Sequence, residues 1–592
     1  MLVQNDKQAD YLLKRLSNAQ IISIDTETVS LEDKTIVAFS IAVDEVEAYV
    51  IPVAMNYITN LPKYKVKELL EAACYCDGTV YHNYSFDGQV LYPMLCRLMD
   101  YEPHDTMIIS QLLDENSKHG LKFLAKKYLG YTMMTFKEVC GTGKNQISFA
   151  DVSDPAIVDK YAGDDALCTL KLYKMLKAEL NLIQEVEECY SEIERPLLNV
   201  VLDMHLTGVP IDVNKVLAVA SECKKHTKKL EQRLQKMKVT TYDNKRKRPV
   251  TKTVNINSTK QLRQYFIEKN NMPVLKQTPK GEPSVDKEVL KKYADDCQEA
   301  KDILEYRKYS KILSTFIPAM TPEYSTRIFP TFRQVGTTSG RFSSANPNFQ
   351  NIPKSKDDAL NLRKCVKASH GQVFIGADYS QMELRLAAHY SGDHAAIKAY
   401  NDGIDMHDIT MKATGLDRTP AKVVNFGILY GMSAKTLAKN INSSIDEASE
   451  FMNQFFTTYP DILKFMQDIR DEVMTTGFIT LYGGRHRRLS QQFPYKERFQ
   501  QEGELRSIGN AIIQGSGAMI IKKAMVLMHK KLQKYGAKIV AQVHDELLIE
   551  CPELYAEDVK KIVADCMVKP TKGLKVPFTV DVKVGKTWGD AH

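Results

Sequence analysis

The chain has 592 residues, too many for a single hydrophobic core, so several domains are expected. Its composition, 44% hydrophobic and 26% charged, is that of an ordinary soluble protein; no apolar run reads as long enough to span a bilayer, so no membrane is expected among its partners. The net charge of +7 hints at a polyanionic partner and excludes little. The eleven cysteines form no CxxC pair and the start "MLVQNDKQAD" has neither the basic nor the apolar region of a signal peptide, so reduced thiols and a cytoplasmic setting are expected.

In chain order, "IISIDTETVS" predicts a buried strand carrying Asp25 and Glu27. Residues two apart on a strand face the same way, so both carboxylates point into one site. In "YHNYSFDGQVL", Asn83 and Asp87 are four apart, on one face if this is a helix. "CGTGKNQ" fails as a phosphate loop, because Glu138 stands at the first glycine position and Asn145 at the Ser/Thr position. "DKYAGDDALCTLKLYKML" has helical periodicity and again sets two residues, Tyr161 and Asp165, four apart. Each acid in isolation reads first as a solvated surface group. Together they offer the all-oxygen donor set that hard cations prefer.

From "SEIERPLLNVVLDMHLTGVPID" to "KKHTKKLEQRLQKMK" the pattern is helical. A loop-like stretch, "VTTYDNKRKRPVTKTVNINSTKQL", interrupts it with Lys245, Arg246, Lys247 and Arg248. That run suits a phosphate grip, an import tag or a solvated turn. Beyond it, "RKYSKILSTFI" groups Arg307, Lys308 and Lys311 on a predicted helix, an arrangement suited to holding a duplex backbone without reading sequence.

The last 260 residues are denser in signals. A turn-rich segment, "QVGTTSGRFSSANPNFQNIP", contains Arg341. In "QVFIGADYSQMELRLAAHYS" an apolar strand ends in Asp378, and a helix begins with Gln381, Glu383 and Arg385. A carboxylate at the end of a buried strand needs a partner or a cation. "RTPAKVVNFGILYG" places Arg418, Lys422, Phe426 and Tyr430 at four-residue steps: two cations for phosphates, then two rings for base and sugar, or surface and core respectively. "LRSIGNAIIQG" sets Arg506, Asn510 and Gln514 on one helical face. Finally "KIVAQVHDELLIEC" predicts a hairpin with His544, Asp545 and Glu546 at its tip.

The order DxE, NxxxD, YxxxD resembles the 3′–5′ exonuclease domains of proofreading DNA polymerases and their ribonuclease relatives. DYSxxELR, RxxxKxxxF(x)₃YG and the His-Asp-Glu hairpin, in that order, resemble the three polymerase motifs of family A DNA polymerases, and "PNFQNIP", "DMHDIT", "QGSGAMIIKKAM" and "VPFTVDVKVGKTWGDAH" extend the likeness. The resemblance implies a mixed α/β and α+β architecture: a ribonuclease H-like α/β exonuclease over 1–190, then a right-hand polymerase. Its thumb would occupy mainly 191–330, its palm 331–410 and 501–592, and its fingers 411–500.

By the same resemblance, Asp25, Glu27, Asp87 and Asp165 hold two metals in the exonuclease and Tyr161 orients the attacking water. Asp378 and Asp545 hold two more in the palm, with Glu546 as a supporting acid. Magnesium is the expected ion, with manganese able to substitute. Arg418, Lys422 and His407 would contact the triphosphate, with Lys422 as general acid. Gln381, Phe426 and Tyr430 would line the nucleotide site, and Glu383 would be a steric gate against a ribose 2′-OH. His544 would lie near the primer terminus, while Arg341, Arg506, Asn510 and Gln514 check the minor groove, whose acceptors are common to all correct pairs.

Expected partners are primer-template DNA, dNTPs and a single-stranded 3′ end in the exonuclease site, for a monomeric enzyme; no long thumb insertion that would bind a processivity factor is read, with 239–255 the candidate segment, and a replisome or processivity factor is left open. An exonuclease beginning within the first thirty residues implies no 5′-nuclease ahead of it, a layout resembling a bacteriophage replicative enzyme most, with an organellar or bacterial origin left open. A single-subunit RNA polymerase would lack Glu383 and the exonuclease. A DNA-binding scaffold with a degenerate polymerase fold would lack Asp378 or Asp545.

Overall fold

The predicted strand "IISIDTET" forms over Ile21–Thr28 and is the middle of a five-stranded sheet. In the computed structural model the described residues are 1–592 except 75, 77, 96–101, 244–247, 279, 323–324 and 354–359. The strand pairs antiparallel with Ile36–Ala42 and parallel with Gly78–Tyr81, giving the spatial order third, second, first, fourth, fifth in chain sequence. Ile22, Ser23, Ile24 and Thr26 are buried, so both faces of the strand meet the core at this end. A long helix, Pro155–Asn181, packs on this sheet; Asp154 caps its first turn and Pro155 occupies a position where no amide is needed. Its buried Val158, Tyr161, Ala162, Asp165, Ala166 and Thr169 follow helical spacing, so Tyr161 and Asp165 face the sheet. Asn83 departs from its predicted place: the helix begins at Tyr84, and Asn83 precedes it with a left-handed φ of 80°.

The middle segment is helical, with Arg195–Thr207, Val213–Leu234 and Gln298–Lys311 as its longest helices. The predicted loop between them is instead an antiparallel hairpin, Lys238–Asp243 with Arg248–Thr253. The Thr and Val of "VTTY" and "PVTKT" supply the β-branched residues that a pleated surface favours. Lys245, Arg246 and Lys247 lie outside the described residues; Arg248 opens the second strand.

The second sheet has four antiparallel strands in the order Lys538–Val543, Glu546–Pro552, Gln372–Tyr379, Val580–Gly585. In its register Asp378 stands opposite Glu546, and Val543 opposite Glu546 closes a two-residue turn at His544 and Asp545. His544 adopts φ 57°, the left-handed conformation that tight hairpins demand at such a position. Behind this sheet runs the 36-residue helix Arg498–Gln533. It contains a stretch long and apolar enough to cross a membrane, contrary to the sequence reading, but 72% of that stretch is buried inside the protein. Its apolar character is that of a core helix.

Two clusters of buried charge join segments far apart in the chain. Glu115, fully buried, meets Arg487 at 3.0 Å and Arg488 at 2.9 Å. Glu194 meets Lys522 at 2.6 Å and Arg485 at 3.2 Å, and accepts a hydrogen bond from Gln334. Removing one partner of such a cluster strands a buried charge, which makes the docking specific.

Candidate active sites

The first site lies on the five-stranded sheet. Carboxylate oxygens of Asp25, Glu27 and Asp165 come within 4.8 Å of one another. Asp25 and Glu27 point the same way because they are two apart on a strand, and the helix face described above brings Asp165 to them. Asp87, in the first turn of Tyr84–Leu95, stands beside this trio but turns one oxygen to Thr26, accepting from its amide at 3.1 Å and its hydroxyl at 2.7 Å. Burial pushes all four carboxyls up, Asp87 and Asp165 to about 7. For Asp25 and Glu27 the neighbouring carboxylates, Asp165 foremost, push further in the same direction.

The donor set fits divalent cations. It consists of oxygens alone, and Asp165 Oδ1 is buried with no hydrogen-bond partner. Tyr161 is 7% exposed, and burial followed by the adjoining carboxylates raises its phenol, so the hydroxyl stays protonated. Lys122, which the sequence reading missed, places its ammonium 4.4 Å from the centroid of the Tyr161 ring. No local spacing signals it; 39 residues separate it from Tyr161.

The second site is a cleft of about 200 Å³ lined by Asp378, Gln381, Glu383, His407, Lys422, Phe426, His544, Asp545 and Glu546, together with Tyr379, Met382 and Val543. Asp378 reaches it from the end of its strand and Asp545 from the adjacent hairpin turn, as the sequence predicts, and the Tyr379 amide lies 3.4 Å from the Asp545 carbonyl. Gln542 braces the turn by donating to the His544 carbonyl, and Gln350 in turn donates to Gln542 at 3.1 Å. Glu546 has its carboxylate committed: Trp588 Nε1 donates to it at 2.7 Å, with Arg363 and His592 each at 3.2 Å. Burial pushes Glu546 up, but His592, Arg363 and Trp588 outweigh it and hold the group below the ordinary range. The Arg363 guanidinium lies 3.9 Å over the Trp588 ring, itself stacked on Phe349. These partners, too, were invisible to motif reading.

The helix Arg418–Leu429 presents Lys422 and Phe426 to the cleft; Tyr430 follows at its C-terminal cap with its ring 6.3 Å from Phe426. Arg418 is half exposed but not free, as the spacing alone suggests it to be. It is paired with Asp405 and Asp408. His407 is buried with Nδ1 2.9 Å from the Asn425 amide nitrogen, and burial first, then Lys422 and Arg418, lowers its pKa, leaving it neutral. Glu383 is held by Arg341 at 2.7 Å and by the Tyr430 hydroxyl. Gln381, at a left-handed φ of 53°, accepts from Tyr400 at 3.0 Å. Arg506, Asn510 and Gln514 line a neighbouring cleft of about 420 Å³ with Tyr430, Ser339 and Arg487. Arg341 lies instead with His544 and Asp545 in a smaller space of about 30 Å³.

Comparison with known proteins identifies both parts of the chain at the level of family. Residues 220–590 match the model of DNA polymerase family A, and residues 1–181 match that of a 3′–5′ exonuclease. The chain is 32% identical, over 98% of its length, to DNA polymerase I of Pseudomonas aeruginosa, and 33% identical, over 99%, to DNA polymerase I of Borreliella burgdorferi. It spans 65% and 64% of those relatives' own lengths. Both are bacterial, and neither supports a bacteriophage origin. The POL domain of Pol1 from M. smegmatis, solved in complex with DNA primer-template and dNTP, shares the fold with a TM-score of 0.83 over all of both chains at 23% identity. Matched over 371 of its 592 residues by the polymerase model, with the exonuclease model ahead of it, the chain belongs to the family A DNA polymerases.

Proposed function

We propose that this protein is a template-directed DNA polymerase that extends a primer 3′-hydroxyl with dNTPs in the cytoplasm and proofreads with a 3′–5′ exonuclease. The observation that supports this best is the convergence of Asp378, at the end of a strand, and Asp545, in the adjacent hairpin turn, on one cleft with Lys422, His407, Phe426 and Glu383. Two magnesium ions per site, or manganese in their place, would be held by Asp378 and Asp545 in the palm and by Asp25, Glu27, Asp87 and Asp165 in the exonuclease; when bound they supply a more acidic attacking oxygen and a neutralised leaving one.

The chain's own groups do the rest. Arg418, Lys422 and His407 receive the triphosphate, and phosphate oxygens displace Asp405 and Asp408 from Arg418. The primer oxygen attacks the α-phosphorus, the bond to the β-phosphate breaks, and Lys422 gives pyrophosphate a proton. Glu383, held by Arg341 and Tyr430, fills the space of a ribose 2′-OH, while Gln381, Phe426 and Tyr430 bound the sugar and base. Arg506, Asn510, Gln514 and Arg341 donate to minor-groove acceptors, so a misshapen pair loses hydrogen bonds whatever its sequence. His544 lies at the primer terminus. Glu546, saturated by its three partners, positions Asp545. In the exonuclease, a water oriented by Tyr161 attacks the terminal phosphodiester and the 3′-oxygen leaves.

Extension of a labelled primer on single-stranded template tests this reading. Growth with dNTPs that stops without a divalent cation is expected; growth with ribonucleotides alone would instead favour an RNA polymerase.

A further inference from the structure

The exonuclease-like site contains a cation that neither the motif nor the metal-binding reading uses. Lys122 lies in the first turn of the helix Leu121–Leu129, whose Leu124 and Ala125 are buried against the domain core. Its ammonium sits over the Tyr161 ring and donates to the Met134 carbonyl. That is its one hydrogen bond among the described residues, so two of its three ammonium protons remain for a ligand. Its charge pulls Asp25, Glu27 and Asp165 downward, against the burial that pushes them up, which places it within electrostatic reach of the whole trio.

Charge balance says what such a group is for. Four carboxylates are matched by two divalent cations. A phosphodiester then brings one further negative charge, which its pentavalent transition state increases. A lysine fixed at the rim by a carbonyl and an aromatic face meets that excess without any change in the carboxylates.

Resting on the exonuclease reading, we propose that Lys122 is a catalytic residue of that site, its ammonium hydrogen-bonding a non-bridging oxygen of the scissile phosphodiester beside the water held by Tyr161. It gives up no proton. The bond that forms is from water oxygen to phosphorus and the bond that breaks is to the 3′-oxygen, as before.

The role makes two opposed demands on one substitution. Lys122→Met removes the charge and keeps the length of the side chain, so cleavage slows while the metals, no longer repelled, bind more tightly. Degradation of a 5′-labelled single-stranded oligodeoxynucleotide without dNTPs should fall about ten- to a hundredfold, the worth of one charge-assisted hydrogen bond. Lys122→Arg should recover most of it. Manganese affinity, read from the free-ion EPR signal in an Asp378→Ala background that removes the palm site, should rise about threefold or more. Primer extension by Lys122→Met at the parental rate reports that the chain is folded. Cleavage at the parental rate, or cleavage and manganese affinity falling together, overturns the proposal. If the parent itself extends primers but leaves the oligonucleotide intact, the exonuclease reading falls and takes this proposal with it.

Discussion

Replacing Asp165 with Asn should stabilise the protein when metals are absent and weaken its response when they are present. Asp165 is 8% exposed, and its Oδ1 has no hydrogen-bond partner. Burial raises its carboxyl to about 7. The folded protein therefore holds that proton more tightly than the unfolded chain does. This contribution to stability is fully present below the ordinary carboxylate value near 4 and is lost as pH rises through about 7. A displacement from near 4 to about 7 corresponds to about 4 kcal/mol at pH 8. An asparagine escapes that cost, but its buried amide gives back about 1–3 kcal/mol in unmade hydrogen bonds. The net gain is about 1–3 kcal/mol, which amounts to several degrees in Tm for a domain of this size. At pH 5 less than half of the electrostatic cost remains, and the gain should vanish. Melting curves in EDTA at pH 8 and pH 5, then in excess magnesium at pH 8, measure all three terms. Magnesium should raise the parent's Tm more than the variant's. A variant that melts below the parent in EDTA at pH 8 would refute the account of Asp165 as a carboxylate held ready for a cation.

Three further outcomes follow from the geometry. Asp25→Ala with Glu27→Ala should abolish degradation of a primer strand and spare its extension, while Asp378→Ala or Asp545→Ala should do the reverse; loss of both activities from either change in a folded protein would contradict two separate sites. Phe426 has no polar atom to replace a missing 3′-hydroxyl, so Phe426→Tyr in an Asp25→Ala, Glu27→Ala background should reduce discrimination against dideoxynucleotides about ten- to a hundredfold, measured as relative incorporation. Asp408→Asn should loosen the hold on Arg418 and lower the KM for dNTPs severalfold with kcat little changed; an unchanged KM in steady-state extension would show that Asp405 alone controls that guanidinium.

What the sequence by itself determined is whatever depends on short spacing. Two acids on one strand, Tyr161 and Asp165 on one helix, Arg506, Asn510 and Gln514 on another, and a carboxylate at a hairpin tip all follow from the periods of strand and helix, and each appears where it was expected. Asn83 and the hairpin at 238–253 were misread because boundaries and turns depend on φ values and cross-strand pairing that a single window does not contain. The helix Arg498–Gln533 shows the limit in another form, since composition cannot distinguish a buried core helix from one that crosses a membrane until the surrounding structure is known.

Only the tertiary structure decided which distant charges meet. Lys122 over Tyr161, Glu546 saturated by Arg363, Trp588 and His592, Arg418 in the grip of Asp405 and Asp408, and Glu115 joined to Arg487 and Arg488 leave no periodic trace in the chain. A charge is costly to bury alone, so folding must bring it a partner, but that partner is chosen by proximity in space and can come from anywhere along the sequence.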